Sequence, residues 1–268
     1  MTMHKFDITE TYVLFALFFL EFILIFINKP GKELVKDMKA NFLIGVCLIL
    51  VGLFVKGIEL SVFSFAYRFA IFTPGISVGL WIAGFFCCDF IHYFYHWLGH
   101  KTRLFWAAHV THHSSEYFNL STGWRTNFFH LFYRFLFWAP LCFFGFPPFM
   151  VMFIESVTAI HNFLVHTERV GRLGVLDWIF NTPSNHRVHH GVNPEYIDRN
   201  HGAIFMIYDH LLGTYAKENR KPVYGITNNI HSHSPSTIIL HKYINTSHAV
   251  RKIKGFWPKV RYLFSAPE

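Results

Sequence analysis

Long apolar runs broken by short polar punctuation dominate the chain up to His166, and polar residues take over after it. A helix that crosses a bilayer needs about 20 predominantly apolar residues, and several stretches approach that length. Tyr12–Asn28 is the first, interrupted only by Glu21. Asn41–Lys56 is the second and extends to Leu60 at most. Ser61–Phe72 carries Arg68 and stops at Thr73-Pro74-Gly75, a pattern that predicts an interfacial segment rather than a span. Ile76–Tyr95 is the third span. Phe128–Phe144 and Phe149–Val165 then predict a hairpin around the breaker Gly145-Phe146-Pro147-Pro148. The fold class this predicts is all-α and integral to a membrane, with four to five transmembrane or membrane-inserted helices under a helical cap. No repeat or long linker divides the chain. It reads as an N-terminal transmembrane and interfacial segment over 1–75, a histidine-rich domain over 76–216, and a basic C-terminal tail over 217–268 at the membrane surface.

Composition supports the membrane reading. Apolar residues make up 52% and charged residues only 15%, and the mean hydropathy is +0.29, outside the usual globular mix. The four cysteines sit in apolar runs without a C-x-x-C and read as small hydrophobes. The net charge of +8 comes without basic stretches interleaved with stacking aromatics, so anionic headgroups rather than nucleic acid are the expected counterpart. The first apolar run lacks a strong basic leader and a small-residue cleavage site, which marks it as a retained span. Lys29, Lys32, Lys36 and Lys39 follow it, and the positive-inside rule assigns that loop to the cytoplasm. Counting spans from there brings Tyr95, His166 and the basic tail to the same cytoplasmic face of a multi-pass protein, in a bacterial inner membrane or the endoplasmic reticulum.

Three histidine clusters stand at those span ends. His96 and His100 are four apart; His109, His112 and His113 repeat as H-x-x-H-H, and so do His186, His189 and His190. Random placement of this chain's 19 His yields roughly 0.1 copies of H-x-x-H-H, and the chain has two. Spacings of three and four residues stack side chains on one helix face. Thr182-Pro183 supplies an N-cap and an N1 proline for a short helix under the last cluster, closed by Gly191 and Pro194. Imidazoles so concentrated repel when protonated and are costly to bury unless a cation takes their lone pairs. An all-imidazole set suits iron, zinc, copper or nickel and exceeds what one four-coordinate zinc takes, so two metals are expected. Two irons beside a bilayer imply dioxygen activation on a lipid.

His166, at the end of the hairpin, is expected to join the ligands. His161, His92, His201 and Asn200 are candidates for ligation or for supporting positions around it, and Asp89 and Asp198 for accepting ligand N–H bonds. His130 and His210 read as structural.

The surrounding words resemble the fatty acid hydroxylase / sterol desaturase superfamily of integral-membrane di-iron enzymes, whose three histidine boxes match here without gaps. Trp106-Ala107-Ala108-His109, His112-His113-Ser114-Ser115-Glu116, Asn119-Leu120-Ser121-Thr122, His166-Thr167-Glu168, Asn181-Thr182-Pro183-Ser184 and Asp209-His210-Leu211-Leu212-Gly213-Thr214 resemble its alkylglycerol monooxygenase branch. The similarity covers about residues 76–216. It implies an oxygenase that inserts one atom of O2 into a C–H bond of a fatty acyl chain, alkylglycerol, sterol or lipid headgroup. Two irons would sit on the clustered histidines, with zinc as a substitute in purified protein. Tyr93, Phe94, Trp97, Trp124 and Arg125 are expected along a substrate channel. No flavin-binding or cytochrome b5-like segment is evident, so electrons are expected from a reductase partner or a reduced pterin. A zinc-dependent membrane hydrolase or metal sensor is the alternative, weakened by the absence of H-E-x-x-H. A b-type haem carrier would need paired histidines within the spans.

Overall fold

The computed structural model describes Tyr12, Ala16, residues 19–27 and residues 29–267. The rest of the expected first span lies outside the described residues; residues 19–27 are helical. Pro30 and Gly31 precede α1 (Lys32–Tyr67), a single helix of 36 residues and about 54 Å. It takes in both the expected second span and most of the segment read as interfacial. The helix ends at Tyr67 with Arg68 as its C-cap, ahead of the turn that leads to Thr73-Pro74-Gly75.

α2 (Val78–Lys101) is capped by Ser77, whose hydroxyl accepts the Leu80 N–H. Its i, i+4 periodicity separates two faces. Val78, Ile82, Phe86, Phe90 and Phe94 are exposed along one ridge, while His92, His96 and His100 follow one another on the inner side. Among the described residues, α1 and α2 are the helices long and apolar enough to cross a bilayer.

The expected hairpin is modified. Its first arm, Phe128–Phe143, is a run of short 3-10 and α pieces interrupted near Pro140 rather than one span. The second arm, α4 (Pro148–Leu164), has Pro148 in its first turn and 17 residues. Both fall short of α1 and α2. Val55, Phe63, Cys88, Trp138, Cys142, Met150 and Ile154 form the main buried core between these helices.

One residue, Thr102, separates α2 from α3 (Arg103–His113) and caps it, so the two helices turn sharply and bring their histidines together. The cap after His166 contains α5 (Pro183–His189) and mostly irregular chain; one isolated bridge, Phe180 with Phe205, is the β pairing among the described residues. Buried side chains stand in for secondary structure there. Asp209 accepts the N–H groups of His201 and Gly202 and the Thr214 hydroxyl. Asn200 bonds the carbonyls of Asn185 and Ala216 and the N–H of Ala216. Within residues 217–267, α6 (Pro235–Lys252) buries Ile238 and Ile239 against Ala40 and Ile44 of α1. Further on, the Arg103 guanidinium lies 4.5 Å from the Tyr262 ring of α7 (Phe256–Leu263).

Candidate metal centre

The clusters converge into two adjacent groups. One joins His96, His100, His109, His113 and His189; the other joins His112, His166, His186 and His190. Within each group the ligand atoms all lie within 4.8 Å of one another. Neighbours on α3 and α5 divide between the groups: His109 and His113 face one, His112 the other, and His189 and His190 part in the same way.

The Nε2 atoms of His96 and His109, His109 and His113, and His113 and His189 are 3.0, 3.0 and 3.1 Å apart. In the second group they close a ring: His112 to His166 at 3.1 Å, His166 to His186 at 2.9 Å, His186 to His190 at 3.2 Å and His190 to His112 at 3.1 Å. Each Nε2 can donate one hydrogen or accept one into its single lone pair. Four nitrogens can therefore satisfy only two of the four contacts in that ring. A cation at the centre satisfies all of them. With metal–nitrogen bonds of about 2.1 Å, adjacent ligands of an octahedron lie about 3.0 Å apart and those of a tetrahedron about 3.4 Å. The observed edges fit octahedral spacing, and the donor sets fit two metals.

The outer nitrogens fix which tautomer is presented. His96, His189 and His166 donate Nδ1–H to the carbonyls of His201, Arg199 and Asn162 at 2.9, 2.9 and 2.6 Å. Their Nε2 lone pairs are therefore free for a metal. His100 places Nδ1 3.4 Å from Asp198, while its buried Nε2 has no hydrogen-bond partner. Burial, reinforced by neighbouring imidazoles, pushes His109, His113, His186 and His190 well below the usual imidazole range. Burial takes His166 down to about 4. The rings are neutral near pH 7, the state that binds metal.

The other expected residues take varied places. His201 is fully buried, its ring centroid 5.0 Å from that of His100, and its carbonyl anchors His96. His161 contacts the Asn181 carbonyl at 2.9 Å. His92 lies one turn below His96, with Nε2 3.4 Å from the Asn162 amide. Asp198 bonds Lys101 as well as facing His100. Asp89 accepts the N–H groups of Ile204 and Phe205, so it holds a cap loop rather than an imidazole. Asn200 likewise braces backbone.

A cavity of about 280 Å³ opens beneath His96, His109, His112, His166 and His186. Trp124 lines it; Tyr93, Phe94, Trp97 and Arg125 do not. The expectation for α2 fails on helix geometry, since the cavity face carries Cys88, His92, Tyr95 and His96, and residues 93, 94 and 97 turn away from it. Tyr93 instead meets the Thr214 hydroxyl at 3.0 Å. Arg125 is wholly buried and braces the end of α3 beside His112 and His113. It donates to Asp37, Asn41, the Ser114 hydroxyl and the carbonyls of Thr111 and Ser114. Gly45 and Gly123 allow close packing around the cavity: a Cβ on Gly45 would meet Trp124 at 2.9 Å, and one on Gly123 would lie 3.2 Å from His166 Nδ1.

Sequence reasoning missed the carbonyl of Asn162, the Asp37–Arg125 pair and Asp209 as supports of the site. Backbone carbonyls leave no residue signature. For Asp209, the signal was a charged residue inside a resembling motif, without a visible partner.

Residues 81–214 match the fatty acid hydroxylase family model. The chain is 34% identical to alkylglycerol monooxygenase of Homo sapiens, over 94% of this chain and 57% of that protein. It is 32% identical to the enzyme of the same name from Xenopus tropicalis, over 96% and 58%. An ornithine lipid hydroxylase of Rhizobium tropici is 34% identical over 50% of this chain and 41% of its own. The chain thus spans a little over half the length of the alkylglycerol monooxygenases named above. No solved structure matches it. A gap-free set of histidine boxes, folded into two imidazole groups over one cavity, agrees with the sequence match: the chain belongs to the fatty acid hydroxylase family.

Proposed function

We propose that this chain is a membrane-bound di-iron oxygenase that inserts one oxygen atom of O2 into a C–H bond of a lipid. The observation that carries the reading is the pair of imidazole groups forming the roof of a cavity that opens among apolar helices. His96, His100, His109, His113 and His189 would hold one iron, and His112, His166, His186 and His190 the other. When bound, the two irons supply reductive activation of O2, with electrons delivered from outside by a reductase partner or a reduced pterin.

The chain's own residues do the rest. Trp124 and Phe163 wall the cavity directly beside His112 and His166, holding a flexible lipid segment against the reacting centre and excluding water. Neutral, carbonyl-anchored imidazoles keep both donor sets in place through the reaction. The lysine-rich start of α1 supports a cytoplasmic position for the metal centre, and the broken Phe128–Phe143 run with α4 supports a membrane-inserted hairpin within a multi-pass fold. The relatives' names support a lipid substrate.

The test supplies the iron-loaded protein with a reductant, 18O2 and a total lipid extract. Product lipids carrying one 18O atom are expected, and zinc-loaded protein should give none. Products whose new oxygen comes from water, formed equally by zinc-loaded protein, would replace this reading with hydrolysis.

A further inference from the structure

Two short helices after His166, Val175–Ile179 and Ile207–Leu212, turn their apolar side chains outward. Val175, Leu176 and Trp178 are 74%, 48% and 61% exposed on the first, and Ile207, Leu211 and Leu212 are 44%, 72% and 59% exposed on the second. The two lie side by side. The Trp178 ring centroid is 4.8 Å from that of His210, and His210 Nε2 meets the Trp178 carbonyl at 2.9 Å. Asp177 and Asp209, the carboxylates of these stretches, are buried instead. Single exposed apolar residues are ordinary, whereas a joined apolar patch marks a contact surface.

What covers the patch follows from where it sits on α2. The Phe205 ring stacks on Phe86 at 5.0 Å, the Tyr208 ring lies 5.2 Å from Phe90, and the Tyr208 hydroxyl donates to the Phe86 carbonyl at 2.8 Å. Phe86 and Phe90 precede His96 by ten and six residues, about 15 and 9 Å along the helix away from the metal ligands. Both belong to the exposed ridge of α2. The patch therefore continues that ridge sideways, at the depth of a span rather than above it. Hydrocarbon requires polar backbone groups to find partners within the protein, and Asp177 supplies them, accepting the N–H groups of Leu173 and Gly174 at 2.9 Å each. At the other edge, Arg199 donates to the Gly213 carbonyl at 2.8 Å and Lys101 ends α2, cations where anionic headgroups would lie.

We infer that these two helices are inserted in the leaflet on the metal side, with lipid acyl chains as the partner of their outer face. The inference rests on the reading that α2 crosses the bilayer. Asp209, on the second helix, holds the His201 and Gly202 N–H groups, so the loop that anchors His96 is tied to an element seated in lipid.

Nitroxide labels on the full chain in nanodiscs of phosphatidylcholine and phosphatidylglycerol test this. They are placed one at a time by Val175→Cys and Leu211→Cys, with Cys47→Ala and Cys87→Ala removing the native thiols that are not buried. Both labelled positions are exposed, so the substitutions leave the core untouched. Phe90→Cys gives the lipid reference and the exposed Lys221→Cys the aqueous one. Power-saturation EPR compares collisions with O2, which concentrates in hydrocarbon, against those with a water-soluble nickel chelate. Labels at 175 and 211 should match Phe90→Cys, with an O2-to-nickel ratio several-fold above that of Lys221→Cys. Nickel-dominated collisions at either position, with Phe90→Cys still in lipid, would overturn the insertion and leave the membrane reading intact. Nickel-dominated collisions at Phe90→Cys as well would sink both. Line broadening that vanishes on dilution with unlabelled chain would mean that a second copy covers the patch, and would overturn the insertion too.

Discussion

Five imidazoles converge in one half of the metal centre and four in the other, and their outer nitrogens are held differently. In the five-membered half, His96 and His189 are anchored on the carbonyls of His201 and Arg199, and His100 faces Asp198. All three supports come from one cap loop, residues 198–201, which Asp209 braces through the His201 and Gly202 N–H groups. In the four-membered half, His166 is anchored on the Asn162 carbonyl of α4 and His112 on the backbone of Arg125, while the buried Nδ1 of His186 has no hydrogen-bond partner. Outer hydrogen bonds orient imidazoles and raise their basicity, so the first half is the more rigid and the tighter. The second gives directly onto Phe118, whose ring centroid is 5.2 Å from that of His190 and which stacks on Tyr224.

The largest expected effect separates the halves outright. His113→Ala and His190→Ala should each abolish turnover, yet each should take the metal content from two per chain to one rather than to zero. Metal analysis by mass spectrometry checks this. Loss of both metals in both variants would mean that the halves fold around each other and that the comparison has no independent terms.

Acid should act on the metal-free site through His166. His166 takes up its proton in the unfolded chain near the ordinary imidazole value, about 6.5, but in the folded protein only at about 4. Its contribution to stability is thus fully present above about pH 6.5 and is lost as pH falls from there towards about 4, on the order of 3 kcal/mol for this residue in the metal-free protein. Thermal unfolding of metal-free protein across that window should show a falling Tm. A flat Tm would mean that His166 is solvated in the metal-free state.

Much of this architecture was legible in the sequence, and the illegible parts share a cause. Spacings of three and four on short helices were enough to bring His96, His109, His113, His186 and His190 together, because helix periodicity is local. The splitting of adjacent His112 and His113, and of His189 and His190, between two groups depends on how α3 and α5 face each other across the cap. That relation is tertiary. Asp89 was expected to hold an imidazole and instead holds the N–H groups of Ile204 and Phe205, since a carboxylate bonds whichever donor the fold delivers. Apolar content alone made Phe128–Phe144 look like one span, whereas the segment breaks into short turns that place His130, Arg134 and Trp138 along the cavity. Polar residues inside an apolar run were the overlooked sign of that lining.

Intermediate in size is the loss of the brace. Asp209→Asn removes the charge that holds the His201 and Gly202 N–H groups and should loosen the loop carrying the His96 and His189 anchors. Losses at such supporting positions weaken metal binding by about 10- to 100-fold, and here the loss should fall on the five-membered half alone. Chelator competition followed by metal counting would show it; equal weakening of both metals would mean that Asp209 stabilises the cap as a whole.

Asp198→Asn should have the smallest effect of the series. The carboxylate is partly exposed and 3.4 Å from His100 Nδ1, and it also bonds Lys101. A contact so long and so screened adds little beyond the neutral amide that would replace it. Metal content should stay at two per chain, with affinity in the five-membered half lowered by no more than about tenfold, the low end for a supporting residue. Asp198 has a left-handed backbone, φ 58°, which asparagine adopts as readily as aspartate, so the substitution leaves the loop in place and isolates the charge. A loss as large as that of His113→Ala would show that the rigidity of the five-membered half comes from this one carboxylate rather than from the carbonyls of His201 and Arg199.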